Sequence, residues 1–268
     1  MLLCPKCRQR LVKDGNRYRC INNHSYDIAR QGYVNLILAN QKSSANAGDN
    51  IESLKARERF LNSGYYKPLA VCLISLVDKY LKDGSCFLDA GCGTGYYLQQ
   101  LLAGSSKDIS FFGTDISKKG VIMTSRKCQS ATCFVGNVFH LPFEEGTLDG
   151  SMSVFCPYSA EEFARVIKEG GYLIVVTAGR KHLFELKEIV YEEPYLNKEG
   201  GYKLEDFELI EQFNITYTMD LKNTEDILAL WRMMPYYHTT SMIDNRKLEN
   251  LDRIDCVADF LVSVYQRC

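Results

Sequence analysis

The stretch that most constrains the fold runs from Phe87 to Gly95 and reads FLDAGCGTG. Its apolar start predicts a buried strand, and the glycines at Gly91, Gly93 and Gly95 predict a tight loop before the next helix. Because glycine has no Cβ, such a loop lets a ligand lie against bare backbone at the amino end of that helix. The sequence therefore predicts a nucleotide-type cofactor loop at this point.

Two acidic residues indicate which cofactor the loop holds. The Gly-x-Gly-x-Gly spacing is tighter than the Gly-x-Gly-x-x-Gly that accommodates a dinucleotide, which points away from NAD. Asp89 lies two residues before the first glycine, and Asp115 ends the next apolar run, twenty residues after Gly95. This arrangement resembles the Rossmann-like S-adenosylmethionine-dependent methyltransferases, in which the second acid binds the ribose hydroxyls. The resemblance implies S-adenosyl-L-methionine as the cofactor.

Helix and strand patterns alternate from the glycine loop onward. Helices are predicted at about 96–104, 117–129 and 159–168, and strands at about 110–115, 132–136, 148–155 and 171–178. Alternation of this kind predicts an α/β fold with a parallel sheet, helices on both faces and ligands at the carboxyl ends of the strands. A helix at 182–191 and strand-like runs at 207–218 and 256–266 fit the antiparallel hairpin that finishes a class I methyltransferase sheet.

The amino-terminal segment has metal-ligand spacing. Cys4 and Cys7 form a Cys-x2-Cys pair, and Cys20 with His24 forms a second pair after twelve residues. Three sulfurs and one imidazole complete a tetrahedral zinc set, and a set of four protein ligands leaves no open position for water. The alternative is four scattered core residues, but a segment this short has too few apolar residues for a core without a metal. The sequence predicts a structural Zn²⁺ site.

Charge is distributed unevenly around this predicted zinc module. Residues 1–32 carry seven basic and two acidic side chains, a net charge of +5, whereas the whole chain has a net charge of −1. A basic module on an acidic body favours contact with a polyanion, and the interleaved Tyr18, Tyr26 and Tyr33 are suited to stacking on unpaired bases. The alternative is that the charges only solvate a small domain whose tyrosines pack beneath the zinc. The distribution favours a nucleic-acid partner.

Composition and patterning bound the remaining questions. No run reaches the roughly 20 apolar residues of a membrane span, and the start lacks a signal-peptide pattern, so a cytoplasmic location is expected. Cysteines outside the metal set are expected to be reduced and mostly buried. Residues 40–50 are small and polar, which predicts a linker, and Asp49 with Glu52 has the spacing of a capping box for the helix that follows. The domains predicted are a zinc-binding RNA-recognition module at 1–36, a linker and helix at 37–62, and a methyltransferase domain at 63–268.

Segments along the whole chain resemble the RlmA family of 23S ribosomal RNA guanine-N1 methyltransferases. Beside the zinc cluster they are Gly32–Leu36, Ala56–Leu61, Gly64–Leu69, Gly93–Tyr97, Leu141–Phe143 and Gly179–Lys187. The resemblance implies a Rossmann-like class I methyltransferase domain behind a small zinc module, acting on a guanine in a domain II hairpin of 23S rRNA. It also implies a homodimer. One branch of the family confers macrolide resistance by methylating a neighbouring guanine, and the sequence leaves the branch open.

The resemblance also assigns site residues. It implies Cys4, Cys7, Cys20 and His24 as zinc ligands. The cofactor contacts that it implies, together with those of the general methyltransferase pattern, are Tyr66, Asp89, Gly91, Gly93, Gly95, Tyr96, Asp115, Asn137 and His182. Without it, Tyr66 and His182 read as ordinary core or surface residues. The group that assists loss of the guanine N1 proton is unknown, and Cys156 and Tyr158 are the candidates, after the fourth strand of the predicted sheet.

Two other functions remain open at this point. A methyltransferase of a small molecule, such as a quinone or lipid precursor, would use the same cofactor loop, but it would need no docking surface with a charge of +5. A cofactor-sensing or RNA-binding protein without turnover is the second alternative. The acid, glycine loop and Asp115 argue against it, although they indicate binding and not catalysis.

Overall fold

The computed structural model describes residues 1–38, 50–198 and 204–268. The predicted linker at 40–50 lies outside the described residues, apart from Asn50, and so does Asp49 of the predicted capping box. Asn50 itself caps the first helix, because its side chain accepts a hydrogen bond from the backbone N–H of Ser53 at 2.8 Å. The cap is therefore one residue later than the capping-box spacing predicted.

The first strands form a small sheet of their own. It contains β1 (Leu11–Asp14), β2 (Arg17–Cys20) and β3 (Ser25–Asp27). All neighbours pair antiparallel in the order β1-β2-β3. Three strands of three or four residues bury little apolar area, so this sheet needs a further source of stability.

Eight strands of the described chain form the second sheet. They are β4 (Tyr33–Asn35), β5 (Ser85–Ala90), β6 (Ile109–Asp115), β7 (Thr132–Val135), β8 (Leu148–Val154), β9 (Ile167–Ala178), β10 (Phe207–Leu221) and β11 (Ile254–Arg267). Their order is β10-β11-β9-β8-β5-β6-β7-β4. Strands β4 to β9 pair parallel, whereas β11 pairs antiparallel with both β9 and β10. This topology confirms the predicted Rossmann-like sheet and its closing hairpin.

The order of the large sheet fixes where a ligand can bind. Strand β5 lies between β6 and β8, and the chain proceeds outward from it in both directions. The strand order thus reverses its direction at β5. In open parallel sheets, ligands bind in the crevice that this reversal leaves at the carboxyl ends of the adjacent strands. The predicted glycine loop follows β5 directly and therefore lies at this crevice.

Helices cover both faces of the large sheet. They are α1 (Ile51–Asn62), α2 (Lys67–Tyr80), α3 (Tyr96–Gly104), α4 (Lys118–Lys127), α5 (Ala160–Val166), α6 (Phe184–Val190), α7 (Thr224–Arg232), α8 (Pro235–Thr239) and α9 (Met242–Arg246). Among the described helices none can cross a membrane alone by length and apolarity, and α1 and α2 meet that test only as a pair bent by 82°.

Three features of the fold differ from the sequence-based expectations. Helix α5 ends at Val166 and β9 begins at Ile167, whereas the patterns placed a helix to 168 and a strand from 171. Helices α7 to α9 were not predicted at all. Strand β4, within the predicted zinc module, joins the large sheet by pairing with β7. Tertiary packing therefore decides elements that local periodicity leaves undetermined.

Candidate cofactor cavity and zinc site

The glycine loop has the backbone that its sequence predicts. Gly91, Gly93 and Gly95 all have positive φ, at 80°, 52° and 79°. A Cβ on Gly95 would lie 2.8 Å from the Cα of Thr124, and a Cβ on Gly91 would overlap the Cys156 side chain. Both the left-handed conformation and the close approach of neighbouring elements therefore require glycine at these two positions.

Asp115 supports the loop from the neighbouring strand. Its Oδ2 accepts a hydrogen bond from the Gly93 N–H at 2.9 Å, and its Oδ1 accepts one from the Ser117 N–H at 2.7 Å. The carboxylate thus joins the loop after β5 to the turn after β6. This position at the strand end is the one that the sequence predicted for a ribose-binding acid.

A cavity of about 810 Å³ opens at the carboxyl ends of β5, β6, β8 and β9. Eight of the predicted site residues line it: Tyr66, Asp89, Gly91, Gly93, Tyr96, Asp115, Cys156 and His182. The lining residues come from six segments that are distant in sequence: 54–66, 89–97, 115–117, 154–157, 176–182 and 233–238. This convergence, together with its size, is typical of a cofactor or substrate site.

Three predicted site residues lie outside the cavity lining. Gly95 is the N-cap of α3, behind the loop. The side chain of Asn137 accepts a hydrogen bond from the Phe139 N–H at 3.0 Å within its own turn. The ring of Tyr158 packs against Phe163 with centroids 6.1 Å apart.

Asp89 is a buried acid that faces the cavity. It is 2% exposed, and burial, reinforced by the nearby Asp115 carboxylate, raises the pKa of Asp89 to about 8. A cationic ligand would favour the ionised carboxylate and lower this pKa, since an opposite charge stabilises the charged form. The cavity is therefore suited to binding a positively charged group near Asp89.

Tyr66 and His182, 116 residues apart, form a buried hydrogen-bonded pair. The Tyr66 hydroxyl lies 3.2 Å from His182 Nε2, and His182 Nδ1 accepts from the Asp259 N–H at 3.2 Å. Because Nδ1 is the acceptor, Nε2 carries the hydrogen and donates it to the Tyr66 oxygen. Burial lowers the pKa of His182 to about 3, so the imidazole is neutral at physiological pH. The hydroxyl hydrogen of Tyr66 then points away from His182.

Asp259 holds the turn that carries His182. Its carboxylate accepts from the Lys181 N–H at 3.0 Å, from the Asn214 side-chain amide at 2.9 Å and from the Thr216 hydroxyl at 3.0 Å. These donors keep the pKa of Asp259 below its usual range although burial opposes this. The hairpin of β10 and β11 therefore positions His182, a residue that lines the cavity.

Several cavity residues were missed by sequence reasoning. Helix α1 contributes Arg57, and the segment from α7 to α8 contributes Met233, Met234, Pro235, Tyr236 and His238. The α7 helix had a signal in the sequence: Asn223 caps it by accepting from the Asp226 N–H at 2.8 Å, and Ile227, Leu230 and Trp231 form its buried stripe. That the segment following this helix lines the cavity could not be read from any local pattern.

Phe155, directly after β8, has an unusual backbone conformation that the sequence did not indicate. Its φ is +53°, which is rare for a large non-glycine residue. The ring is 44% exposed, lines the cavity and stacks on His182 with centroids 6.1 Å apart. Exposed aromatic surface at the mouth of a polar cavity is suited to stacking with a planar ligand.

The four predicted zinc ligands converge in the small module. The ligand atoms of Cys4, Cys7, Cys20 and His24 all lie within 4.8 Å of one another. A tetrahedral zinc with bonds of about 2.3 Å to sulfur and about 2.05 Å to nitrogen places sulfur pairs about 3.8 Å and sulfur–nitrogen pairs about 3.5 Å apart. The Cys7–Cys20 sulfurs are 3.7 Å apart, and His24 Nδ1 is 3.5 Å from the sulfurs of Cys4 and Cys20. The residues fit a structural zinc ion.

The zinc module is packed firmly against the methyltransferase-like body. Leu2 forms a β-bridge with Phe143, the Leu3 N–H donates to the Pro142 carbonyl at 2.7 Å, and the amino group of Met1 pairs with Glu144 at 2.5 Å. Beneath these contacts, apolar residues of the module pack in one core with residues of β7 and the 138–143 loop. The module contributes Leu2, Leu11, Val34 and Leu36, and the body contributes Phe134, Val138, Leu141 and Phe143. The module is thus held in a fixed orientation relative to the cavity.

The basic residues of the module are exposed, although Arg8 donates to the Leu141 carbonyl at 3.4 Å and Arg10 lies 3.6 Å from the Glu144 carboxylate. All seven are exposed: Lys6, Arg8, Arg10, Lys13, Arg17, Arg19 and Arg30. Of the two acidic side chains, Asp14 pairs with Arg17 at 3.4 Å. The charge imbalance read from the sequence is therefore a property of the module's surface.

Comparison with known proteins identifies relatives of both parts. Residues 2–45 match the family described as "RlmA, N-terminal", and residues 88–175 match the family described as "Methyltransferase domain". The 23S rRNA (guanine(748)-N(1))-methyltransferase of Streptomyces fradiae is 35% identical over 69% of this chain and 66% of its own length. A protein of Micromonospora griseorubida, provisionally named a 23S rRNA (guanine-N(1)-)-methyltransferase, is 33% identical over 69% of this chain and 68% of its own length. A Bacillus subtilis protein with the same provisional name is 30% identical over 71% of this chain and 69% of its own length.

A solved structure with a similar fold comes from the complex of the Haloferax volcanii Trm112 methyltransferase activator with a provisionally named methyltransferase. Its TM-score is 0.50 at 18% identity, over 82% of this chain and 99% of that one. At this identity the likeness concerns the fold alone.

Proposed function

Because the chain belongs to the RlmA family of 23S rRNA (guanine-N1)-methyltransferases, we propose that it methylates N1 of a guanine in a domain II hairpin of 23S rRNA. It is an S-adenosyl-L-methionine-dependent methyltransferase with a structural zinc. The alignments with the named relatives span 66 to 69% of their lengths. The RNA substrate and the target atom are therefore carried over as parts of the proposal.

The observation that carries the proposal is the fixed attachment of a basic module beside the cofactor cavity. Seven exposed cations on a small, zinc-stabilised surface suit a polyanionic substrate. A shared apolar core keeps that surface in register with the cavity, so a bound hairpin would present its bases to one place. A small neutral acceptor would gain nothing from this arrangement.

We propose that Tyr66, Asp89, Asp115, Tyr96, His182 and the loop residues Gly91 and Gly93 hold the cofactor. When bound, it supplies a methyl group on a positively charged sulfur. Asp115 is suited to the ribose hydroxyls and Asp89 to a cationic group, while Tyr66 and His182 close the cavity between α2 and β11. Asn137 and Gly95 would then act through the turn and the helix end that they shape, because neither lines the cavity.

The acceptor base needs a planar site and a route for its N1 proton. We propose that Phe155 stacks on the flipped guanine, since its ring is exposed at the cavity mouth. Of the two candidates for assisting proton loss, Cys156 lines the cavity, and Tyr158 would act only after leaving its contact with Phe163. The proposal includes the division into 1–36, 37–62 and 63–268, a homodimer, and a cytoplasmic location.

The decisive experiment transfers labelled methyl from S-adenosylmethionine to deproteinised 23S rRNA from a strain that lacks this enzyme. N1 methylation blocks base pairing, so reverse transcription should stop at one guanine of the domain II hairpin. The position of the stop would assign the family branch and its relation to macrolide resistance. Cofactor binding without label in RNA would refute the proposal and favour a small-molecule acceptor.

A matched pair of variants tests the docking surface. Lys13→Gln removes one exposed charge from the module, and Lys82→Gln removes one just before the amino end of β5, whereas the cavity lies at the carboxyl ends of the strands. If Lys13 contacts a phosphate, its variant should weaken RNA binding and reduce the slope of log K against log salt by about 0.9. Lys82→Gln should change neither. Equal effects of the two variants would count against docking by the zinc module.

A further inference from the structure

Helix α1 places an arginine in the cofactor cavity. Leu54, Arg57 and Leu61 recur at intervals of three and four residues, so they share one face of the helix, and all three line the cavity. The neighbouring Arg59 points elsewhere and pairs with Glu225 at 2.5 Å and with Asp226 at 3.4 Å on α7. One helix thus carries a cavity arginine and a structural arginine two residues apart.

The guanidinium of Arg57 lies against the glycine loop. Its Nη1 is 3.3 Å from the point that a Cβ on Gly93 would occupy, and its Nη2 is 3.4 Å from the Met233 carbonyl, to which it donates a hydrogen bond. The side chain therefore spans from the loop to the end of α7, and it is half-buried. A ligand resting on the loop would meet this charge directly.

The charges that line the cavity match those of the cofactor. Among the described lining residues, Arg57 is the one Lys or Arg side chain, and Asp89 and Asp115 are the carboxylates. Two histidines also line the cavity: His182 adds no charge because its imidazole is neutral, and His238 Nε2 lies 3.1 Å from the Ser53 hydroxyl. Lys127 approaches the loop from α4 without lining the cavity: its Nζ pairs with Glu58 at 2.7 Å and donates to the Thr94 carbonyl at 3.1 Å. S-adenosylmethionine has a sulfonium and an ammonium for the acids, and one carboxylate.

We propose that Arg57 binds the α-carboxylate of the methionyl group of S-adenosylmethionine. A guanidinium against a glycine loop can donate two hydrogen bonds to a carboxylate while the loop leaves room for the chain that bears it. The assignment rests on the cofactor identity within the proposed function, and it adds a binding residue that joins α1 to the site. It also explains why the α1 helix, which lies outside the methyltransferase sheet, packs over the cavity.

The test compares ligands with and without the carboxylate, using the full-length zinc protein and no RNA. Calorimetry measures the affinities of S-adenosylmethionine and of its decarboxylated analogue, which keeps the sulfonium and the amine. The wild type should bind S-adenosylmethionine more tightly. Arg57→Gln should weaken binding of S-adenosylmethionine roughly 10- to 100-fold, the range for a hydrogen bond to a charged group, and leave the analogue within about twofold. Arg57→Lys should retain part of the preference, and Arg59→Gln all of it.

Three outcomes would overturn the assignment. An equal loss for both ligands would mean that Arg57 shapes the cavity without contacting the carboxylate. No loss for either ligand, or a wild type without preference, would remove Arg57 from cofactor recognition. Since no RNA enters the measurement, a failure to methylate 23S rRNA would leave this inference standing. An Arg57→Gln protein that binds the analogue normally is, by that result, folded.

Discussion

Acidification should lower the free energy of unfolding of this protein through protonation of His182, and the substitution His182→Gln should abolish that part of the pH dependence. The unfolded chain takes up a proton at this position near pH 6.5, whereas burial lowers the pKa in the folded protein to about 3. The folded state therefore binds fewer protons between these values, and stability is lost as the pH falls below about 6.5. At pH 5 the loss from this residue is about 2 kcal/mol relative to pH 7.5, where the residue is neutral in both states.

Urea unfolding at pH 7.5 and pH 5.0 measures the effect. The wild type should lose about 2 kcal/mol more than His182→Gln over this interval, because glutamine does not titrate. Loss of zinc and protonation of Asp89 contribute equally to both proteins, so they cancel in the difference. The same pH dependence in both proteins would refute a buried neutral imidazole at His182 and, with it, the proton arrangement that we assign to the Tyr66 pair.

Three further perturbations have defined expected results. Removal of zinc by a chelator should raise hydrogen exchange in residues 1–28 and in the 134–144 region that shares their core, but not in β11; exchange confined to the module would contradict the shared core. Gly95→Ala should lower the free energy of unfolding by at least about 1 kcal/mol, since φ is positive and the new Cβ meets Thr124; an unchanged urea midpoint would be inconsistent with that contact. Asp259→Asn should weaken cofactor binding by placing an amide donor against existing donors, and adding Asn214→Asp should restore part of it; no rescue would argue against positioning by Asp259.

The zinc ligands and the cofactor loop were predictable because the residues that form each of them are close together in the sequence. Cys4, Cys7, Cys20 and His24 need only two tight turns to meet, and strand alternation places Asp115 beside the loop after β5. The class of the sheet followed from the order of helices and strands. In each case the interaction partners lie close in sequence or are related by a general rule of parallel sheets.

The missed parts of the site depend on contacts between distant segments. Arg57 reaches the loop because α1 packs over the crevice, and Tyr236 enters the cavity from the first turn of α8, which was not predicted. The positive φ of Phe155 follows from its surroundings and leaves no trace in composition. Conversely, Asn137 matches a general pattern, yet its side chain is used within its own turn. Local sequence identifies residue types, whereas the cavity wall is decided by tertiary packing.

Because β4 pairs with β7, the amino-terminal segment cannot reach its final place in the sheet until β7 has been synthesised. Tyr33 pairs with Cys133, one hundred residues farther along. At about 5 to 20 residues per second, the ribosome needs about 5 to 20 s to make that partner available. Zinc can close the first hairpin at once, but the apolar side chains of Val34 and Leu36 must wait uncovered for their place in the sheet. Early metal capture would thus keep the nascent segment compact through the interval in which it is most exposed to aggregation.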